Sequence, residues 1–131
     1  MIKQYKLRYG ELDITLAVDH EKVTEKLLHE INDFWGDSSW RLSQCKNDIC
    51  LVVLRLIAAK CFYLAISKDY NPYGVMDCFN DGDETEGFPP INGSCGIYLV
   101  NMDSFEIADD EIELISTVEL NEKPTLPKGN M

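Results

Sequence analysis

Apolar and polar positions alternate with a period of two at the start of the chain. Ile2 to Tyr9 and Leu12 to Val18 are both strand-like runs. In the second, Leu12, Ile14, Leu16 and Val18 fall on one face and Asp13 and Thr15 on the other. The spacing predicts a hairpin turning at Gly10-Glu11. The period then lengthens. Leu27, Leu28, Ile31, Phe34 and Trp35 form one helical stripe behind Thr24, an N-cap residue, and Val23 and Leu28 stand where a hydrophobic staple would close. Gly36 is the expected stop. After a short connection over 37–46, with a helical turn expected around Trp40 to Leu42, Asp48 is placed to cap a second helix from Ile49 to about Ser67.

That second helix is apolar on almost every side, interrupted between Ile49 and Ile66 only by Arg55 and Lys60. Arg55 near its centre would cost about 2.5–3.5 kcal/mol in a bilayer, so no membrane span is expected. The helix is predicted to be covered by the first helix and the sheet, or at a dimer interface.

From Lys68 to Gly96 periodicity disappears, and Asn71-Pro72, Asp81-Gly82, Pro89-Pro90 and Asn92-Gly93 read as turns in one long loop. Loops of that length inside a small domain are commonly functional or mobile. Two further strands are expected, Ile97 to Met102 and Glu111 to Leu120, the latter with Ile112, Leu114, Val118 and Leu120 on one face. The order β-β-α-α-β-β predicts an α+β two-layer sandwich, with two helices packed on a mainly antiparallel four-stranded sheet. One domain is expected over residues 1–120, with a flexible tail over 121–131 holding two prolines and a glycine.

At 131 residues and 45% hydrophobic the chain is long and apolar enough to fold without staples. The first ten residues lack the continuous apolar run of a secretory signal, and the expected location is cytoplasmic. Five cysteines, Cys45, Cys50, Cys61, Cys78 and Cys95, have no C-x-x-C spacing, so free thiols are expected rather than disulfides or a zinc ribbon. Cys50 and Cys61 read as buried, Cys78 and Cys95 as exposed loop residues.

Several residues along this pattern carry a family resemblance. The run Val18-Asp19-His20, then Thr24-Glu25-Lys26, Leu28-His29-Glu30-Ile31-Asn32, Phe34-Trp35 and Pro89-Pro90-Ile91-Asn92-Gly93-Ser94-Cys95-Gly96-Ile97 resembles a small bacterial family, domain of unknown function 2528. The resemblance spans most of the chain. It implies a stand-alone cytoplasmic protein of bacteria and their phages or mobile elements, and it supplies no catalytic residues.

Charge is distributed unevenly. Residues 1–68 carry ten Lys/Arg against nine Asp/Glu, residues 69–131 two against fourteen, and no Lys or Arg occurs from Asp69 to Glu122. A net charge of −11 serves solubility, and it also suits a negative face that meets a basic protein. On the second reading the partner-binding residues are Asp81, Asp83, Glu84, Glu86, Phe88, Asp109, Asp110 and Glu111. Direct nucleic-acid binding is not expected without a basic footprint. A homodimer is an open expectation, because a four-stranded sheet leaves edges to be covered.

No catalytic residue, metal ligand or cofactor is assigned. Asp77 to Asp83 brushes against a calcium loop, but Phe79 and Phe88 occupy ligand positions three and twelve. An irregular oxygen site from Asp81, Asp83 and Glu84 competes with a plain solvated turn. His20 and His29 are the imidazoles, and a Cys95-His20-Asp19 grouping has no signature behind it. Gly93-Ser94-Cys95-Gly96 lacks the Lys of a phosphate loop. The enzyme alternative is a thiol- or metal-dependent site in the 68–96 loop using Cys78 or Cys95.

Overall fold

The computed structural model describes residues 1–128; the end of the expected tail, residues 129–131, lies outside them. Strand β1 (Ile2–Tyr9) pairs antiparallel with β2 (Leu12–Asp19), from Ile2 opposite Asp19 to Tyr9 opposite Leu12. The two-residue turn between them requires a positive φ at its first position, and Gly10 supplies it at +61°. Strand β3 (Ile97–Met102) pairs antiparallel with the other side of β2, giving the sheet order β1-β2-β3. A bulge at Val100 separates the Thr15–Asn101 pair from the Leu16–Leu99 pair and keeps Leu99 and Met102 on the core face.

Helix α1 (Glu25–Asp33) starts as the sequence indicates, with Thr24 Oγ1 accepting from the Leu27 N–H at 3.2 Å. Its end differs from the expected one. The chain leaves through Phe34, and the left-handed residue before α2 (Ser38–Gln44) is Asp37, not Gly36. The anticipated turn around Trp40 is therefore a two-turn helix. Helix α3 (Ile49–Lys68) is capped by Asp48, whose carboxylate accepts from the Leu51 N–H at 3.1 Å.

Helix α3 is long and apolar enough to cross a membrane by length and composition alone. In the fold it is the core helix. Ile57, Cys61 and Leu64 are fully buried, in one cluster with Ile14, Leu16 and Val18 of β2, Leu28 and Ile31 of α1, and Val75 and Phe79 further on. Full burial of one such aliphatic side chain is worth about 1.5–3 kcal/mol, which is why an all-round apolar helix takes the centre. One stripe stays outside, carrying Leu51, Arg55, Tyr63 and Ile66.

Two further expectations are overturned. First, part of the expected long loop is helix α4 (Pro72–Asp81): Asn71 Oδ1 accepts from the Gly74 N–H at 2.9 Å, Pro72 occupies the first turn, and Gly82 ends the helix at φ +73°. Val75, Cys78 and Phe79 form its buried face, so Cys78 is a core thiol and not an exposed loop residue. Second, Glu111–Leu120 is not a strand. It follows a single 3-10 turn (Asp109–Glu111), pairs with nothing among the described residues, and leaves its apolar side chains in solvent. The protein is α+β as expected, but the described residues hold four helices and a three-stranded antiparallel sheet in place of two helices and four strands.

Candidate functional site

The first set of acidic residues sits on the α4–β3 connection, held by residues that alternate with them. Thr85 is buried and its hydroxyl donates to the Cys78 carbonyl at 3.0 Å, closing the end of α4. Phe88 is half-buried, its ring 5.5 Å from both Trp35 and Phe79. Gly87, at φ +87°, lets the backbone pass against the Phe34 ring, where a Cβ has no room. With Thr85 and Phe88 turned inward, Asp81, Asp83, Glu84 and Glu86 are turned out and exposed.

Lys68, the last residue of α3, reaches Glu84 at 2.9 Å, and that carboxylate raises the ammonium pKa. Glu84 is the one carboxylate beyond residue 68 in an ion pair among the described residues. The second set, Asp109, Asp110 and Glu111, lies on the 3-10 turn, with Glu111, Glu106 and Phe105 beside the hairpin tip at Tyr9–Leu12. Asp103 anchors this stretch: its carboxylate accepts from the Asp13 N–H at 2.8 Å, and its own N–H donates to the Asp13 carbonyl at 2.9 Å. No hydrogen bond or ion pair joins the two acidic sets among the described residues.

Cys50, Cys61 and Cys78 lack the environment of a nucleophile. Burial pushes Cys61 up to about 12 and raises Cys50. Cys78 is raised by desolvation and then by the nearby Asp83 and Glu84. A catalytic thiol needs the opposite shift. His20 is hydrogen-bonded to the Tyr5 hydroxyl at 2.7 Å, while Cys95 is exposed with only Ser94 Oγ at 4.0 Å. Among the described residues no three His, Cys, Asp or Glu side chains gather in a metal-holding group.

A feature invisible in the sequence lies on the opposite charge. The chain has three arginines, and Arg8, Arg41 and Arg55 all line one groove of about 400 Å³ between the end of β1, α2 and α3, with Trp40, Leu56 and Phe62 supplying much of its apolar wall. Arg8 forks onto Asp13 at 2.6 and 3.2 Å, and Arg41 donates to the α1–α2 junction. Arg55 contacts Cys45 Sγ at 3.3 Å and has no carboxylate partner among the described residues. These residues are far apart in the sequence, and their only local signal is an Arg interrupting the apolar α3.

The comparisons with known proteins agree with the family resemblance in the sequence. Residues 13–114 match a family described as "Protein of unknown function (DUF2528)". The chain is 40% identical over 113 residues to "Protein ea10" of Escherichia phage lambda and to "Lambda prophage-derived protein ea10" of Escherichia coli O6:H1, covering 84% of this chain and 92% of each relative. No solved structure matches it. The matched span leaves out β1 but takes in nearly all of β2, β3, the helices α1 to α4 and the 3-10 turn up to Leu114, and the chain belongs to the DUF2528 family, with these phage and prophage proteins as relatives.

Proposed function

We propose that this is a non-enzymatic interaction protein whose acidic second half meets a basic partner protein in the cytoplasm. The observation that carries the reading is the state of the carboxylates after residue 68: they are exposed, no Lys or Arg occurs between Asp69 and Glu122, and Glu84 is the one in an ion pair among the described residues. Uncompensated like charge works against the compact state and is relieved by a cationic surface, which also accelerates encounter. The burial of Cys78, with its thiol raised by desolvation, weighs against a thiol-dependent site at that residue.

The test starts with affinity isolation of a basic partner from the phage-bearing host, followed by association kinetics with the purified pair at several salt concentrations. Replacing Asp81, Asp83, Asp109 and Asp110 by Asn and Glu86 by Gln is expected to leave the melting temperature unchanged or higher. The same substitutions slow association and flatten its salt dependence over the range where the Debye length falls to about 8 Å. Unchanged association and salt dependence would leave the acidity as a solubility device.

A further inference from the structure

The two edges of the sheet are not equivalent. The outer edge of β3 is covered by its own chain: Leu99 N–H donates to the Ile91 carbonyl at 2.8 Å, Gly93 N–H to the Ile97 carbonyl at 2.9 Å, and Asn92 bridges Tyr98. The outer edge of β1 has no strand neighbour among the described residues. In a ladder closed by a two-residue turn, Tyr9 and Leu12 exchange both bonds. Every second residue from Tyr9 back therefore faces β2, and Met1, whose carbonyl accepts from the His20 N–H at 2.9 Å, is in phase. Ile2, Gln4, Lys6 and Arg8 consequently turn their N–H and C=O groups away from the sheet, a template for another strand.

The second observation is a segment with strand pattern and no partner. Ile112, Leu114, Ile115, Val118 and Leu120 are between 63% and 84% exposed. One side of the alternation holds Ile112, Leu114, Ser116, Val118 and Leu120; the other holds Glu113, Ile115, Thr117 and Glu119. Rising about 3.3 Å per residue, Ile112–Leu120 matches the length of β1. The chemistry is complementary too. Along β1, the Lys6 and Arg8 head groups pair with Asp13 on the outer face of the sheet, although Arg8 also borders the groove, while Leu7 and Tyr9 lie on the groove face. A strand laid on this edge puts its leucine and valine side chains on the groove face and sets one of its glutamates, which stand six residues apart, beside Lys6 or Arg8.

We propose that Ile112–Leu120 of one copy adds as a fourth strand to the β1 edge of a second copy, reciprocally, in a two-fold dimer. Within one chain the backbone passes the hairpin tip and leaves the segment off its own edge. Two copies, each with an open edge and an unpaired segment, cover both through one self-complementary interface. The four-stranded sheet that the sequence pattern implies is completed between chains. This is separate from the basic-partner reading, whose substituted carboxylates all lie outside residues 112–120.

The experiment is light scattering on the full chain across the micromolar range, with circular dichroism to follow folding. The expected mass is about twice the 14.9 kDa of one chain, falling toward the monomer on dilution. Leu114→Asp with Val118→Asp changes only exposed positions; it is expected to keep the native spectrum and give a monomer. Lys6→Pro, which removes one outward N–H, is expected to do the same from the edge side. Mixing the two disabled variants then restores a dimer held by a single strand exchange. If Lys6→Pro fails to fold, the double-aspartate variant decides alone. A wild-type mass near 15 kDa at every concentration overturns the proposal, as does a dimer that survives the double-aspartate change. Amide protection of residues 112–120 in a monomer also overturns it, because it would place the strand on its own edge.

Discussion

Arg41 binds Asn32 twice: its Nε donates to the buried side-chain Oδ1 at 2.8 Å and its Nη2 to the backbone carbonyl at 2.9 Å. The same guanidinium reaches the Gly36 and Trp35 carbonyls, and Asn32 Nδ2 donates to the Ser38 carbonyl at 3.1 Å. One side chain of α2 thereby satisfies the carbonyls where α1 ends, in place of the glycine stop that the sequence suggests. Arg41→Ala strands a buried amide oxygen and is expected to lower unfolding free energy by about 2–3 kcal/mol. Arg41→Lys recovers only part of this, since an ammonium lacks the planar fork. Urea denaturation with an unchanged slope checks both.

Gly93 and Gly36 make a matched pair for a second prediction. Gly93 has φ +94°, and a Cβ there would run into the Tyr98 ring; Gly36 has open space around it and no left-handed φ. Gly93→Ala is expected to destabilise by about 2 kcal/mol or more. Gly36→Ala is expected to be neutral or to stabilise by about 0.4–1 kcal/mol. Thermal melts of the two variants side by side test the contrast.

Acid should reveal the hairpin's charge pair. The hydrogen bond from Arg8, more than any other cause, holds the Asp13 carboxyl below its ordinary value of 3.8, with Lys6 assisting at 3.5 Å. A folded pKa below the unfolded one means that the unfolded chain takes up its proton first. The stabilisation is therefore complete above the ordinary value and is lost as pH falls through the depressed one. Melting temperature measured downward from neutral pH should fall less steeply at the acid end for Asp13→Asn than for the wild type.

Thiol reactivity should follow burial and not loop position. Brief iodoacetamide treatment of the native protein is expected to label Cys95 first and Cys50 more slowly, leaving Cys45, Cys61 and Cys78 intact. All five should react once the chain is unfolded in urea. Rapid native labelling of Cys78, read by peptide mass spectrometry, would contradict its place on the buried face of α4.

Everything legible in the chain before folding was local. The period-two alternation of Leu12 to Val18 with Gly10 at the turn, the cap residues Thr24 and Asp48, and the all-round apolar Ile49–Ile66 each act within a few residues, and the structure keeps them. Helix α4 had local signals too, Asn71-Pro72 at one end and Gly82 at the other. Gly74, Asp77 and Asn80 between them read as loop until Val75, Cys78 and Phe79 found the core. Glu111–Leu120 erred the other way: alternation makes a segment fit a sheet, but a strand exists only when a neighbour supplies its hydrogen bonds, and among the described residues none does. The same limit applies to site features. That the second half is acidic can be counted from composition, whereas the turning out of Asp81, Asp83 and Glu86 depends on Thr85 and Phe88 being drawn inward. The meeting of Arg8, Arg41 and Arg55 around one groove depends on where β1, α2 and α3 pack, because contacts between distant residues are set by the burial of the whole core and not by any neighbour along the chain.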